Sequence, residues 1–115
     1  MRERLRDTGF VARMLMAVVL LVGVFSGINA QPPPAVEVNI VNFSFAPATL
    51  TVHVGATVTW TNREDIPHKV DSTDNLFKSK VLDKDERFSY TFSKIGTYSY
   101  FCSIHPKMTG KIVVQ

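Results

Sequence analysis

From Val36 to the C-terminus the sequence switches polarity almost residue by residue, and this two-residue period is the strongest limit on what it can fold into. Residues 36–40, 51–54, 57–60, 88–92 and 98–102 alternate apolar and polar side chains, and residues 111–114 form a last short run. Successive side chains of a strand point to opposite faces, so each run offers one apolar face to a core. Turn formers separate the runs at Ala46-Pro47, Val54-Gly55 and Ile95-Gly96, with a polar stretch at 71–75. No stretch has convincing helical periodicity, and residues 75–85 fit neither pattern. Many short strands at regular spacing predict an all-β fold, a small β-sandwich with Greek-key connections. Trp60, Phe43, Phe45, Phe88 and Phe92 are predicted to fill its core.

The first thirty residues differ in kind. Arg2, Arg4, Arg6 and Arg13 precede an uncharged apolar stretch, residues 14–25, and Ser26-Gly27-Ile28-Asn29-Ala30 ends on a small residue. A basic start, an apolar middle and a small residue at the cut mark residues 1–30 as a cleaved export signal. The apolar stretch falls short of the roughly 20 residues that a spanning helix needs. Left uncleaved, it would tether the domain to the membrane. Its removal leaves 85 of the 115 residues: a proline-rich linker at 31–35 and one domain at 36–115, enough for a single core. The whole-chain charge of +3 falls to +1 over residues 31–115, with 9 Lys and Arg against 8 Asp and Glu. That near-neutral balance removes the case for a nucleic-acid partner.

An exported chain with one cysteine forms no internal disulfide. Its thiol is inert and buried, paired with another chain, catalytic or a metal ligand; a free thiol in an oxidising compartment is at risk of oxidation, and metal coordination would protect it. Cys102 stands in Cys102-Ser103-Ile104-His105-Pro106-Lys107-Met108, a C-x2-H-x2-M spacing, and His68 lies 34 residues upstream behind Pro67. Singly, each residue has an ordinary use: His68 on the surface or at a cap, Cys102 as a small buried hydrophobe, Met108 as core filler. Together, a thiolate, two imidazoles and a thioether form the donor set of a blue-copper electron-transfer site, with the methionine as a weak axial ligand. Sulfur suits Cu(I), nitrogen suits Cu(II), and a fixed intermediate geometry limits rearrangement between them. Residues 103–109 are predicted to be the loop between the strand ending at Cys102 and the final strand. So short a loop brings Cys102, His105 and Met108 to one point. His68 must arrive from a separate loop at the same end of the sandwich. His53, inside an alternating run, is predicted to be a surface or structural residue.

At these residues the chain resembles the cupredoxin family, and within it the amicyanin branch. The similarity covers nearly all of the chain after the export segment. It runs through residues 50–64, including Thr59-Trp60-Thr61-Asn62-Arg63-Glu64, then Pro67-His68, Gly96-Thr97-Tyr98-Ser99-Tyr100-Phe101-Cys102 and Met108-Thr109-Gly110-Lys111. The resemblance implies an eight-stranded Greek-key sandwich, one type 1 copper and single-electron shuttling in the periplasm, without an enzymatic reaction. It implies His68, Cys102 and His105 as strong equatorial ligands, Met108 as the axial one, and the ring edge of His105 as the electron's exit. The implied partners are redox proteins, a dehydrogenase or a c-type cytochrome, docking near His105 on a monomer.

Three positions depart from the branch. Lys69 replaces a small polar residue, usually Asn, whose side chain ties the two ligand loops together; lysine has donors but no acceptor. Ile104 replaces a proline, and its backbone N–H is expected to donate to the Cys102 sulfur. Lys107 replaces an aromatic residue beside the exit, which should alter partner choice more than copper binding, so the branch's dehydrogenase partner is not carried over. Ile66, Pro67, Ile104 and Pro106 are expected to form a modest apolar patch around His105. Lys78, Lys80, Lys84 and Lys94 are read as ordinary solvated surface.

Two other functions compete. Copper storage or delivery would use the same donors but needs exposed, exchangeable ligands, and after residue 30 only one methionine, Met108, remains. A cysteine hydrolase built on Cys102 and a histidine would need a substrate cleft and an oxyanion hole, and would leave Met108 without a role.

Overall fold

Alternation becomes two packed sheets in the computed structural model, which describes residues 35–115. The expected export segment and nearly all of the proline-rich linker lie outside the described residues. Eight strands follow in order: β1 (Val36–Val41), β2 (Ser44–Ala46), β3 (Thr49–Val52), β4 (Thr57–Asn62), β5 (Asp71–Ser72), β6 (Arg87–Thr91), β7 (Gly96–Cys102) and β8 (His105–Val114). One sheet has the order β2-β1-β4-β6 and the other β3-β8-β7-β5. Only β1–β2 and β7–β8 join neighbours in one sheet; every other connection crosses between sheets. The result is the expected all-β Greek-key sandwich.

The inner faces carry the apolar half of each run. Val38 and Ile40 of β1, Val58 and Trp60 of β4, Tyr100 of β7, and Ile112 and Val114 of β8 are buried. On the outer face of the β4–β6 pair, hydroxyls meet across the ladder: Thr57 with Thr91, and Thr59 with Ser89, each at 2.8 Å. Such cross-strand pairs hold the register that the alternation sets.

Several expectations need correcting. The segment 103–109 is not a loop: β8 begins at His105, and only Ser103 and Ile104 turn the chain between Cys102 and His105. The physical reason is pairing. Cys102 pairs with His105, yet Phe101 pairs with Thr109, so the register slips there and Pro106, Lys107 and Met108 form an irregularity on one strand. Strands β2 and β5 have three and two residues, too few for a period to show. Residues 75–85 form bridges, not a helix, with His68 opposite Leu82 and Asp71 opposite Lys78. Phe45 and Phe92 are buried and Phe88 partly so, but Phe43 is 46% exposed on the turn between β1 and β2. His53 is exposed, as expected.

Tyr100 sits at the centre of the core, 1% exposed, edge-on to Trp60 at 5.3 Å and to Phe45 at 4.7 Å. Its cross-strand neighbour is Gly110, where any Cβ would overlap the tyrosine ring. Gly110→Ala is therefore expected to destabilise the fold by about 1–3 kcal/mol through overpacking, read as a lower urea midpoint at unchanged slope.

Burial pushes the Tyr100 hydroxyl up to about 12; the nearby Trp60 N–H opposes this weakly, and neither group completes a well-formed hydrogen bond. The folded chain thus holds a proton that the unfolded chain releases near 10. The contribution is fully present below pH 10 and is lost as pH rises toward 12. Urea midpoints should fall across that window, and the fall should be shallower in Tyr100→Phe, which has no proton there to lose.

Candidate metal centre

Three chain segments meet at one end of the sandwich: the β1–β2 turn, the loop from β4 to β5 and the β7–β8 turn. The middle one brings His68. It is fixed by Asn62, the last residue of β4, which is buried and uses its whole amide. Its Nδ2 donates to the Ile66 carbonyl at 2.8 Å and to the Leu82 carbonyl at 2.9 Å, and its Oδ1 accepts the Glu64 N–H at 2.9 Å. The last bond is an Asx-type turn, which starts the loop in a defined direction. His68 and Leu82 then exchange backbone hydrogen bonds at 3.1 and 2.8 Å, so the histidine's own backbone is held on both sides.

The side chains converge. Cys102 Sγ lies 3.9 Å from His68 Nδ1 and 3.7 Å from His105 Nδ1, and the ligand atoms of all three residues fall within 4.8 Å of one another. These separations suit three ligands around one ion: bonds of about 2.0 to 2.3 Å in a trigonal plane put sulfur and nitrogen about 3.8 Å apart. His68 and Cys102 are both 0% exposed, His105 is half-buried, and Met108 is buried nearby in the β8 irregularity. A thiol and two imidazoles aimed at one small space, with a thioether beside them, fit a soft, nitrogen-tolerant metal such as copper.

Two groups around the donors went unseen in the sequence. The Lys69 N–H donates to Cys102 Sγ at 3.3 Å, linking the His68 loop to the cysteine strand. The amide expected from Ile104 does not make this bond; at the tip of a two-residue turn its N–H is not among the sulfur's partners. The tie between ligand loops therefore survives the Lys69 replacement, because it runs through the backbone. The lysine side chain goes elsewhere, with Nζ 3.8 Å from Asp71 Oδ1, an ion pair too long to be a hydrogen bond, and neither buried Asp71 oxygen has a hydrogen-bond partner.

Glu64 is the second group. Its Oε1 lies 3.4 Å from His68 Nε2, on the ring side away from the sulfur, and the same oxygen accepts the Phe43 N–H at 2.8 Å. The first contact is too loose to satisfy the buried Nε2 fully, so it acts mainly as an electrostatic guide. Burial holds the His68 pKa below its ordinary value, and His105 adds to this; Glu64 opposes both without reversing them. A neutral imidazole with Nδ1 facing the sulfur is what a metal requires. Only the fold reveals Glu64, although its place four residues before His68 was a faint signal.

The chain belongs to the cupredoxin family: the model of the cupredoxin-like domain matches residues 13–114. Its cofactor is one copper ion, and its membership implies copper electron transfer. Among its relatives, amicyanin of Paracoccus denitrificans is 40% identical over 86 residues, which cover 70% of this chain and 66% of that protein's length. Amicyanin-alpha of Methylorubrum extorquens is 32% identical over 101 residues, covering 84% of this chain and 85% of that one. A purple cupredoxin from Nitrosopumilus maritimus superposes with a TM-score of 0.67 at 34% identity, covering 70% of this chain and 99% of that one.

Outer carboxylates orient metal-binding histidines, and their loss typically weakens metal binding by about 10–100-fold. Glu64→Ala is expected to lower copper affinity within that range, measured by competition with a chelator. An unchanged affinity would mean that the Asn62 and Leu82 bonds position His68 without help.

Proposed function

We propose that this chain is a periplasmic single-electron carrier in which His68, Cys102 and His105 hold copper as strong ligands and Met108 as the weak axial one. The observation that carries this reading is the convergence of Sγ and two Nδ1 atoms at 3.7–3.9 Å at one end of the sandwich. Copper bound there would alternate between Cu(I) and Cu(II).

The protein's own residues do the rest. Asn62 and Leu82 fix His68, and the Lys69 amide fixes the sulfur, so these two donors keep their places when the ion's charge changes. Burial of Cys102 and His68 excludes water from the donor side. These features favour electron transfer over storage or delivery, which would want donors that water and a receiving protein can reach. His105 is the ligand with an exposed edge. It lies in a shallow hollow with Phe43, Ile104, Pro106, Lys107 and Met108. Ile104 in that hollow is exposed, as is Ile66 on the His68 loop, and both add apolar surface. Weak redox encounters need little area, below about 1,200 Å² in total, so this surface suffices for a dehydrogenase or cytochrome partner of a monomeric carrier. Of the four surface lysines noted in the sequence, Lys80 and Lys84 are occupied by Glu86 at 2.9 Å and Asp65 at 3.3 Å, which leaves them little part in steering.

The test is the visible spectrum. Added Cu(II) should give an intense thiolate-to-copper band that bleaches with ascorbate and returns on reoxidation, and Cys102→Ser should give none. A colourless wild-type adduct would refute redox use of the site.

A further inference from the structure

The aromatic residue expected in the core, Phe43, stands instead over the donors. Both Asn42 and Phe43 have positive φ, 51° and 55°, in the left-handed region that bulky residues rarely enter. Such a conformation persists only where its surroundings hold it, and functional sites are where it gathers. The hold here is the bond from the Phe43 N–H to Glu64 Oε1 at 2.8 Å, made to the same carboxylate oxygen that faces His68. The turn thereby delivers the Phe43 ring onto both imidazoles. Its centroid is 5.6 Å from His68 at 82° and 5.1 Å from His105 at 89°, while the two imidazoles are 5.0 Å apart at 58°. Perpendicular contacts at these distances are the favoured geometry of aromatic pairs.

We infer that Phe43 is a positioning residue for the copper site: one ring, carried on a third loop, braces both histidine donors and fixes the angle between them. The inference rests on the copper reading above. His68 has other restraints in its buried loop. His105 has fewer: it is half-buried, it follows a two-residue turn and it leads into the β8 irregularity. The brace therefore matters most for His105, the donor most able to swing away when copper is reduced and nitrogen ligands bind less strongly. A half-exposed phenylalanine in a strained turn contributes little to the core, so its replacement should spare the fold.

The experiment compares wild-type protein with Phe43→Leu, which keeps the apolar cover, and Phe43→Tyr, which keeps the ring. Each is loaded with copper, reduced and mixed with excess bathocuproine disulfonate, and Cu(I) release is timed; copper-free thermal midpoints are recorded alongside. Phe43→Leu should release copper on the order of tenfold faster at an unchanged copper-free midpoint, as the loss of an orienting group predicts, and Phe43→Tyr should match wild type. Equal release from Phe43→Leu and wild type, or equally fast release from both variants, would overturn the brace. If wild-type protein itself shows no thiolate-to-copper band, the copper reading falls and the brace with it. A normal wild-type band with no effect of Phe43→Leu removes the brace alone.

Discussion

The hydrogen bond from the Lys69 amide to Cys102 Sγ joins the His68 loop to the end of β7 across 33 residues of chain. On one side of it stands His68, clamped by its backbone exchange with Leu82; on the other, Cys102 at the end of β7. The bond extends the pairing of β5 with β7, where Asp71 lies opposite Phe101, out to the imidazole and the thiol themselves. With it, the protein's own contacts hold the donors together. A site held in this way spends little of the metal's binding energy on ordering loops. It also resists rearrangement when the metal's charge changes, which is what repeated electron exchange demands.

Polar burial supports that link. Asn62 has the last position of β4, where alternation would allow an apolar residue, and three of its hydrogen bonds fix the start and end of the His68 loop. Buried amides are tolerated when they are satisfied in this way. The cost of burial falls instead on His68, whose imidazole is kept neutral by desolvation despite the carboxylate of Glu64 beside it. Desolvation wins because the ring is fully enclosed, while Glu64 meets it at 3.4 Å with imperfect geometry. That balance suits a donor: a protonated ring could not ligate.

The same end of the molecule collects what the core rejects. Phe43, Ile66 and Ile104 are exposed there, and each belongs to a turn or loop bordering the donors. The opposite arrangement holds within the sheets, where Tyr100 lies so close to Gly110 that no side chain fits between the strands. A rigid interior and an apolar, half-wet rim are two demands on one short chain. They are met by giving the strands to packing and the turns to chemistry.

Fold class, the longer strands and the candidate donor set were legible in the sequence because each depends on local spacing. A period of two is a property of neighbouring residues, and C-x2-H-x2-M places three donors within one hairpin whatever surrounds them. His68 joined them as the second imidazole the donor set needs, on a separate loop behind Pro67. Contacts between distant segments were not legible. The tight Cys102–His105 turn, the choice of Lys69 over Ile104 as donor to the sulfur, the pairing of Glu64 with His68 and the placement of Phe43 over both imidazoles all depend on which loops share an end of the sandwich. Phe43 shows why most clearly. As a phenylalanine beside an alternating strand it reads as core, and only a left-handed turn held by a carboxylate 21 residues away sends it to the surface. Sequence determined which atoms could bind the metal; tertiary structure decided how they are held, because holding is done by partners that spacing along the chain does not record.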